Sequence, residues 1–277
     1  MGEVLALASA LCFGVTHFAN GLVSRRVDGI AVALYAQLAG SGVAVLWAVV
    51  DSGGGGTGGD YWFGALSGVG TGVGVAFLYR AMSRGQMSVV VPVSDVGAVA
   101  LPVLVGVVFL GEHLAVVAWV GVVVAVPALW LVSQGAGQGR GGSVTAGVPA
   151  ALVASAGFGV QFLAMAQVDG GLWPVVVSRV VSVVVIGGVL LVYGAPVRMP
   201  GRLAAAAGGA GAVGTVAIVL YLAATQQQLM AVATVLSALY PVIPVLLALV
   251  FLGERITRRQ AAGLVCAVAA IALIALR

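Results

Sequence analysis

Apolar residues run in continuous blocks along this chain, and short stretches rich in glycine, arginine and acid separate them. The blocks fall near 3–23, 30–50, 61–80, 87–110, 114–133, 144–166, 171–194, 203–225, 229–252 and 257–276. About 20 residues of α-helix, at about 1.5 Å each, cross a hydrocarbon core roughly 30 Å thick. Each block therefore has the length of one membrane crossing. Within a block the apolar residues are contiguous rather than alternating, which excludes barrel strands, and a backbone in hydrocarbon is satisfied only inside its own helix. The pattern predicts an all-α integral membrane protein of ten transmembrane helices. The longest gaps, 51–60 and 134–143, are Gly-rich and too poor in side chains to fold alone.

Composition agrees. Of 277 residues 62% are hydrophobic and 7% charged, against roughly 25% charged in a soluble domain. The lipid bilayer is the first expected partner, in the cell (inner) membrane with many passes. The formal charge of +4 comes from 12 basic residues, all arginine, scattered singly or in pairs between blocks; nucleic-acid binding needs a clustered basic face. Cys12 and Cys266 lie in distant apolar blocks without metal-ligand spacing, so neither disulfide, metal nor cofactor is expected. The chain opens on Glu3 with no cationic stretch, and its first block reads as a retained helix rather than a cleaved leader.

The chain also repeats itself. Residues 79–132 set against 221–274, at a constant offset of 142, give 19 identities in 54 positions without a gap. Tyr79 matches Tyr221, Pro102-Val103-Leu104 matches Pro244-Val245-Leu246, and FLGE at 109–112 matches FLGE at 251–254. Phe13-Gly14 corresponds to Phe158-Gly159 at an offset of 145. The division is thus 1–133, a linker at 134–143, and 144–277. Halves with an odd number of crossings insert in opposite orientations, the inverted-repeat plan of many secondary transporters.

The paired segments VVVPVSDVGAVALPVLVGVVFLGEHL and VATVLSALYPVIPVLLALVFLGERIT resemble the drug/metabolite transporter superfamily, EamA type, and the resemblance covers essentially the whole chain. It implies a transporter with a central cavity between two five-helix halves, often an exporter of amino acids or other metabolites. It also implies cytoplasmic termini. Arginine placement argues the reverse: Arg25, Arg26, Arg80, Arg84, Arg140, Arg198, Arg202, Arg255, Arg258 and Arg259 fall in odd-numbered connections and only Arg277 on the other face. By the positive-inside rule the odd connections are cytoplasmic and both termini outside.

Candidate transport residues are those that the hydrocarbon ought to exclude. Asp95 sits about eight residues into the fourth block, where a charge costs at least roughly 2.5–3.5 kcal/mol. It reads as a proton-coupling site or an anchor for a substrate ammonium group, with a buried structural pair as the plain alternative. Two partners suggest themselves. His17, near Thr16 and Asn20, reaches a similar depth from the same face and titrates in the physiological range. Arg179 enters from the opposite face; it pairs with Asp95, binds a substrate carboxylate, or snorkels to an interface. Tyr35, Gln37, Gln161, Tyr221 and Tyr240 add aromatic faces and hydrogen-bonding groups suited to a mostly apolar cavity.

Pro92 and Pro102 in the fourth block, and Pro241 and Pro244 in the ninth, predict helix bends. Gly64, Gly68 and Gly72, and Ala206, Ala210 and Gly214, predict close helix crossings. Glu112 and Glu254 follow Gly111 and Gly253, and are expected to face the positive N-terminus of the next helix. Thr257 and Gln260 have capping-box spacing at the tenth.

There is no His-Glu-x-x-His, no nucleophile elbow and no Walker segment, so neither an enzyme nor an ATP-driven pump is expected. The sequence points to secondary transport of a small-molecule substrate by alternating access, as an exporter of amino acids or related metabolites coupled to protons. The alternatives are multidrug efflux or carriage of a sugar-like solute and, outside transport, a membrane scaffold or receptor. The chain is expected to act as a monomer or homodimer.

Overall fold

The structure, a computed structural model, describes residues 2–50, 55–95, 98, 116–133, 146–165, 167–168, 171–225, 240–254 and 256–275. The described residues form helices and no strand. In chain order these are α1 (Gly2–Ser24), α2 (Gly29–Val50), α3 (Gly58–Arg84), α4 (87–95), α5 (Val116–Ser133), α6 (Val148–Met165), α7 (Trp173–Tyr193), α8 (Gly201–Thr225), α9 (Val242–Phe251) and α10 (Arg258–Ala275). Six of them, α1, α2, α3, α6, α7 and α8, are long and apolar enough to cross a membrane. Pro102, Glu112 and the linker 134–143 lie outside the described residues.

Helix ends follow local chemistry. α3 begins at Gly58, three residues before the expected 61, because Thr57 and Asp60 make a capping box. The Thr57 N–H donates to Asp60 Oδ2 at 2.6 Å and the Asp60 N–H to Thr57 Oγ1 at 3.4 Å. α7 ends at Gly194, whose φ of 58° is left-handed. α9 ends at Gly253 in the same way, with φ 62°. The capping box expected at α10 is present: the Thr257 N–H donates to Gln260 Oε1 at 2.9 Å and the Gln260 N–H to Thr257 Oγ1 at 3.2 Å. Pro241 stands at the N-cap and Pro244 in the first turn of α9; residues 229–239, which precede them in the ninth block, lie outside the described residues.

The helices of the two sequence halves interlock: α3 packs against α6 and α7, α1 against α8 and α9, α2 against α7 and α8, and α5 against α10. Lipid gives no hydrophobic drive for such contacts, so close van der Waals approach supplies it. A Cβ added at Gly64 would lie 2.5 Å from the Pro174 carbonyl oxygen, and one at Gly68 2.4 Å from that of Ser178; at Gly72 it would meet Val185 and Ser182. The predicted glycine face of α3 is therefore its crossing with α7. On α8 the expected face is rotated. Ala206 is exposed, and Ala207, Ala210, Gly211 and Gly214 make the contacts. Gly211 lies against the Ala36 carbonyl of α2 and Gly214 against Thr16 of α1. Trp47, Trp62 and Trp130 are exposed, as interface anchors would be, whereas Trp173 packs with Ala44, Ala48 and Val176.

Gly68→Leu is expected to lower the thermal unfolding midpoint of the detergent-solubilised protein by the equivalent of about 1–3 kcal/mol or more, because overpacking meets backbone that cannot yield. Gly42→Leu, where an added Cβ meets nothing within 4 Å, serves as the control; equal loss in the two variants would refute the crossing's importance.

Candidate functional site

α4 starts from a two-residue turn after α3, and its ninth residue is Asp95, 3% exposed. The partners expected from depth were His17 or Arg179. Neither holds it. The carboxylate accepts the Tyr240 hydroxyl at 2.7 Å on Oδ1. Tyr240 precedes α9, so a phenol from the second half of the chain meets an acid from the first. A hydroxyl satisfies one carboxylate oxygen without needing a second charge in hydrocarbon. Oδ2 has no hydrogen-bond partner among the described residues.

His17 stands beside Tyr240, their ring centroids 5.5 Å apart, and Phe13 packs on the same tyrosine at 5.8 Å. One turn along α1, Asn20 is wholly buried and donates from Nδ2 to the Tyr79 hydroxyl at 3.0 Å. The Tyr79 ring lies 6.2 Å from that of His17. Asp95, Tyr240, His17, Tyr79 and Asn20 therefore form one polar cluster where α1, α3, α4 and the start of α9 meet. His17 Nδ1, Asn20 Oδ1 and Asp95 Oδ2 are all buried without a partner among the described residues. Each such group costs about 1–3 kcal/mol when left unsatisfied. Three polar atoms of the cluster thus keep hydrogen-bonding capacity that no described residue uses.

Tyr79 was not among the residues singled out as candidates. Its signal was present in the repeat, as the counterpart of Tyr221. Tyr221 itself lies elsewhere, with Leu5, Ala6 and Ala224 at the N-terminal end of α1. The equivalent tyrosines thus occupy opposite ends of α1. Tyr35 is half-buried at the edge of the main core. Gln161 backs onto Gly70 in the α3–α6 crossing, its Oε1 buried and unpartnered among the described residues. Arg179 donates to Gln37 Oε1 at 2.8 Å. Pro92 lines a small apolar notch with Pro241, Val242 and Val245, so the prolines of α4 and α9 face one another.

Glu254 departs from expectation. It follows α9 but does not face the N-terminus of α10. Its carboxylate accepts the N–H groups of Met87 and Ser88, at 3.2 and 3.1 Å, and the Ser88 hydroxyl at 2.8 Å. It also pairs with Arg25 from the α1–α2 turn. The left-handed Gly253 turns the chain back, which directs the acid across to α4. There it faces the exposed N–H groups and positive dipole of the helix that carries Asp95. This is the one ion pair among the described residues.

The profile of the EamA-like transporter family matches residues 1–134 and 145–276, and the chain belongs to that family: it is a multi-pass membrane transporter of the drug/metabolite superfamily. No curated protein is similar enough to the chain to match it. Among 15 solved chains that match, one crystal structure is 17% identical, with a TM-score of 0.60 over 98% of this chain and 95% of that one. At that identity the likeness is one of fold.

Glu254→Ala is expected to destabilise the protein by about 1.5–3 kcal/mol, since it strips α4 of a charged acceptor. Arg25→Ala should cost less, because the three donors from Met87 and Ser88 remain. Thermal unfolding of both variants checks the order; a larger loss in Arg25→Ala would overturn this account of the clasp.

Proposed function

We propose that this protein is a secondary transporter of a small metabolite that works by alternating access, and that it exports an amino acid or a related compound at the expense of a proton gradient. The observation that carries the reading is the Asp95–Tyr240 hydrogen bond. It joins the two sequence halves through the acid that the hydrocarbon most resists, and coupling groups belong at such a contact. When Asp95 is charged, the Tyr240 hydroxyl and a substrate donor at Oδ2 hold it. When it is protonated the attraction falls and the halves part.

The halves are read as inverted five-helix repeats. The placement of Tyr79 and Tyr221 at opposite ends of α1 supports this, as do the prolines of α4 and α9 facing one another. The Glu254 clasp closes the interface on the face that carries Arg25, Arg26, Arg80, Arg84, Arg198 and Arg202. That face is read as cytoplasmic from its arginines. The clasp must therefore open for substrate to enter from the cytoplasm.

In proteoliposomes, wild-type protein is expected to move one class within a panel of amino acids and related metabolites faster under an imposed pH gradient. Asp95→Asn should fold normally yet lose the gradient dependence. Undiminished coupling in that variant would remove Asp95 from the mechanism, and gradient-indifferent flux by the wild type would make the protein a facilitator.

A further inference from the structure

Arg179 is the one arginine inside a membrane-spanning helix among the described residues; the others stand at helix ends or in connections. Its depth follows from glycine contacts. Gly64, Gly68 and Gly72 of α3 lie against Pro174, Ser178 and Ser182, so α3 and α7 run in parallel register and Arg179 stands between the levels of Gly68 and Gly72. Gly29 lies against the backbone of Tyr79 and Arg80, and α2 runs antiparallel to α3 from there. Eight residues on, Gln37 reaches the same level. At 1.5 Å per residue this is on the order of 20 Å from either end of α3. A guanidinium so placed cannot snorkel to water.

The pair has a second property. Gln37 comes from the first half of the chain and Arg179 from the second. Both belong to the second helices of their repeats, α2 and α7, so the contact joins corresponding elements of the two halves. Depth and this contact together place the guanidinium near the midplane, between the halves, where transporters of this plan bind substrate.

Nothing in the described structure neutralises it. Gln37 Oε1 accepts from Nη1 at 2.8 Å and lies 3.4 Å from the Ser182 hydroxyl. This orients the guanidinium without supplying charge. The ion pair of the described residues is elsewhere, between Arg25 and Glu254. Asp95, the other deep charge, is held by Tyr240.

We propose that Arg179, oriented by Gln37, is the anion subsite of the transport path and holds a carboxylate of the substrate. A single arginine matches the single charge of a carboxylate, and its planar fork takes the two oxygens side by side. A phosphate would bring a second negative charge for which the midplane provides no partner among the described residues. The proposal rests on the transporter reading and deepens it: the substrate is a carboxylate-bearing metabolite, and its neutral amide is a poor one.

The test uses the purified full-length protein and two probe sets, the common amino acids and their carboxamides. Acids, but not amides, should raise the thermal unfolding midpoint of the wild type. In Arg179→Gln the half-saturating concentration should rise roughly tenfold or more, and Arg179→Lys should retain part of the response. Gln37→Glu guards against a folding defect: it gives the guanidinium a resident carboxylate, so this variant should be folded and no less stable, yet unresponsive to acids. Amides that act as well as acids, an absence of response to any acid, or a wild-type response in Gln37→Glu would overturn the proposal. Acid-dependent stabilisation without flux in proteoliposomes would instead leave the anion subsite standing and remove the transporter reading.

Discussion

Hydrocarbon offers no hydrogen bonds, and nearly every feature of this molecule answers to that constraint. It confines the backbone to helices and requires their ends to be capped from within the protein, as Thr57 and Asp60 do for α3 and Glu254 does for α4. It also removes the hydrophobic drive that packs soluble helices. Glycine then carries the contacts, because it lets one backbone approach the carbonyls of another, as along α3 and α7. Against this background a polar side chain in a span is conspicuous. Many of those found here are satisfied by a backbone carbonyl, Ser9, Thr16 and Thr215 by one of a neighbouring helix and Ser41, Thr71 and Ser94 by one of their own. The cluster around Asp95 retains unsatisfied groups, and Arg179 retains an unbalanced charge.

The crossings also explain why the two halves of the chain do not form separate bodies. α1, α2 and α3 each pack against helices from the second half. The interface is therefore most of the molecule, and it is where the chemistry gathers. Asp95 and Tyr240 come from different halves, as do Gln37 and Arg179, and Arg25 and Glu254. Motion of one half against the other changes all three contacts.

Much of this was legible in the sequence, because length and hydropathy are local. The apolar blocks match the helices to within a few residues for α1, α2, α3, α5, α6, α7, α8 and α10, and the glycine face of α3 and the box at Thr257 were where spacing put them. The early start of α3 was missed because the Thr57–Asp60 box hides inside a glycine-rich gap. Partner choice was less accessible. Depth suggested His17 or Arg179 for Asp95, but depth fixes only one coordinate, and azimuth around the bundle decided for Tyr240. Glu254 was read against the helix next in sequence, whereas a left-handed glycine sent it to a helix more than 160 residues away. Tyr79 was visible as half of a repeated pair, yet only its counterpart drew notice.

The short helix α9 is gripped at both ends by the same neighbour. Tyr240 just before its start holds Asp95, the ninth residue of α4, and Glu254 just beyond its finish holds the first turn. While both hold, the two fastenings suppress rotation as well as sliding of α9 on α4, so the halves part only when both are released. A displacement begun at either fastening reaches the other as mechanical load rather than as a change of charge. Access at the arginine-rich face and the state of the deep acid are thereby linked through one pair of helices.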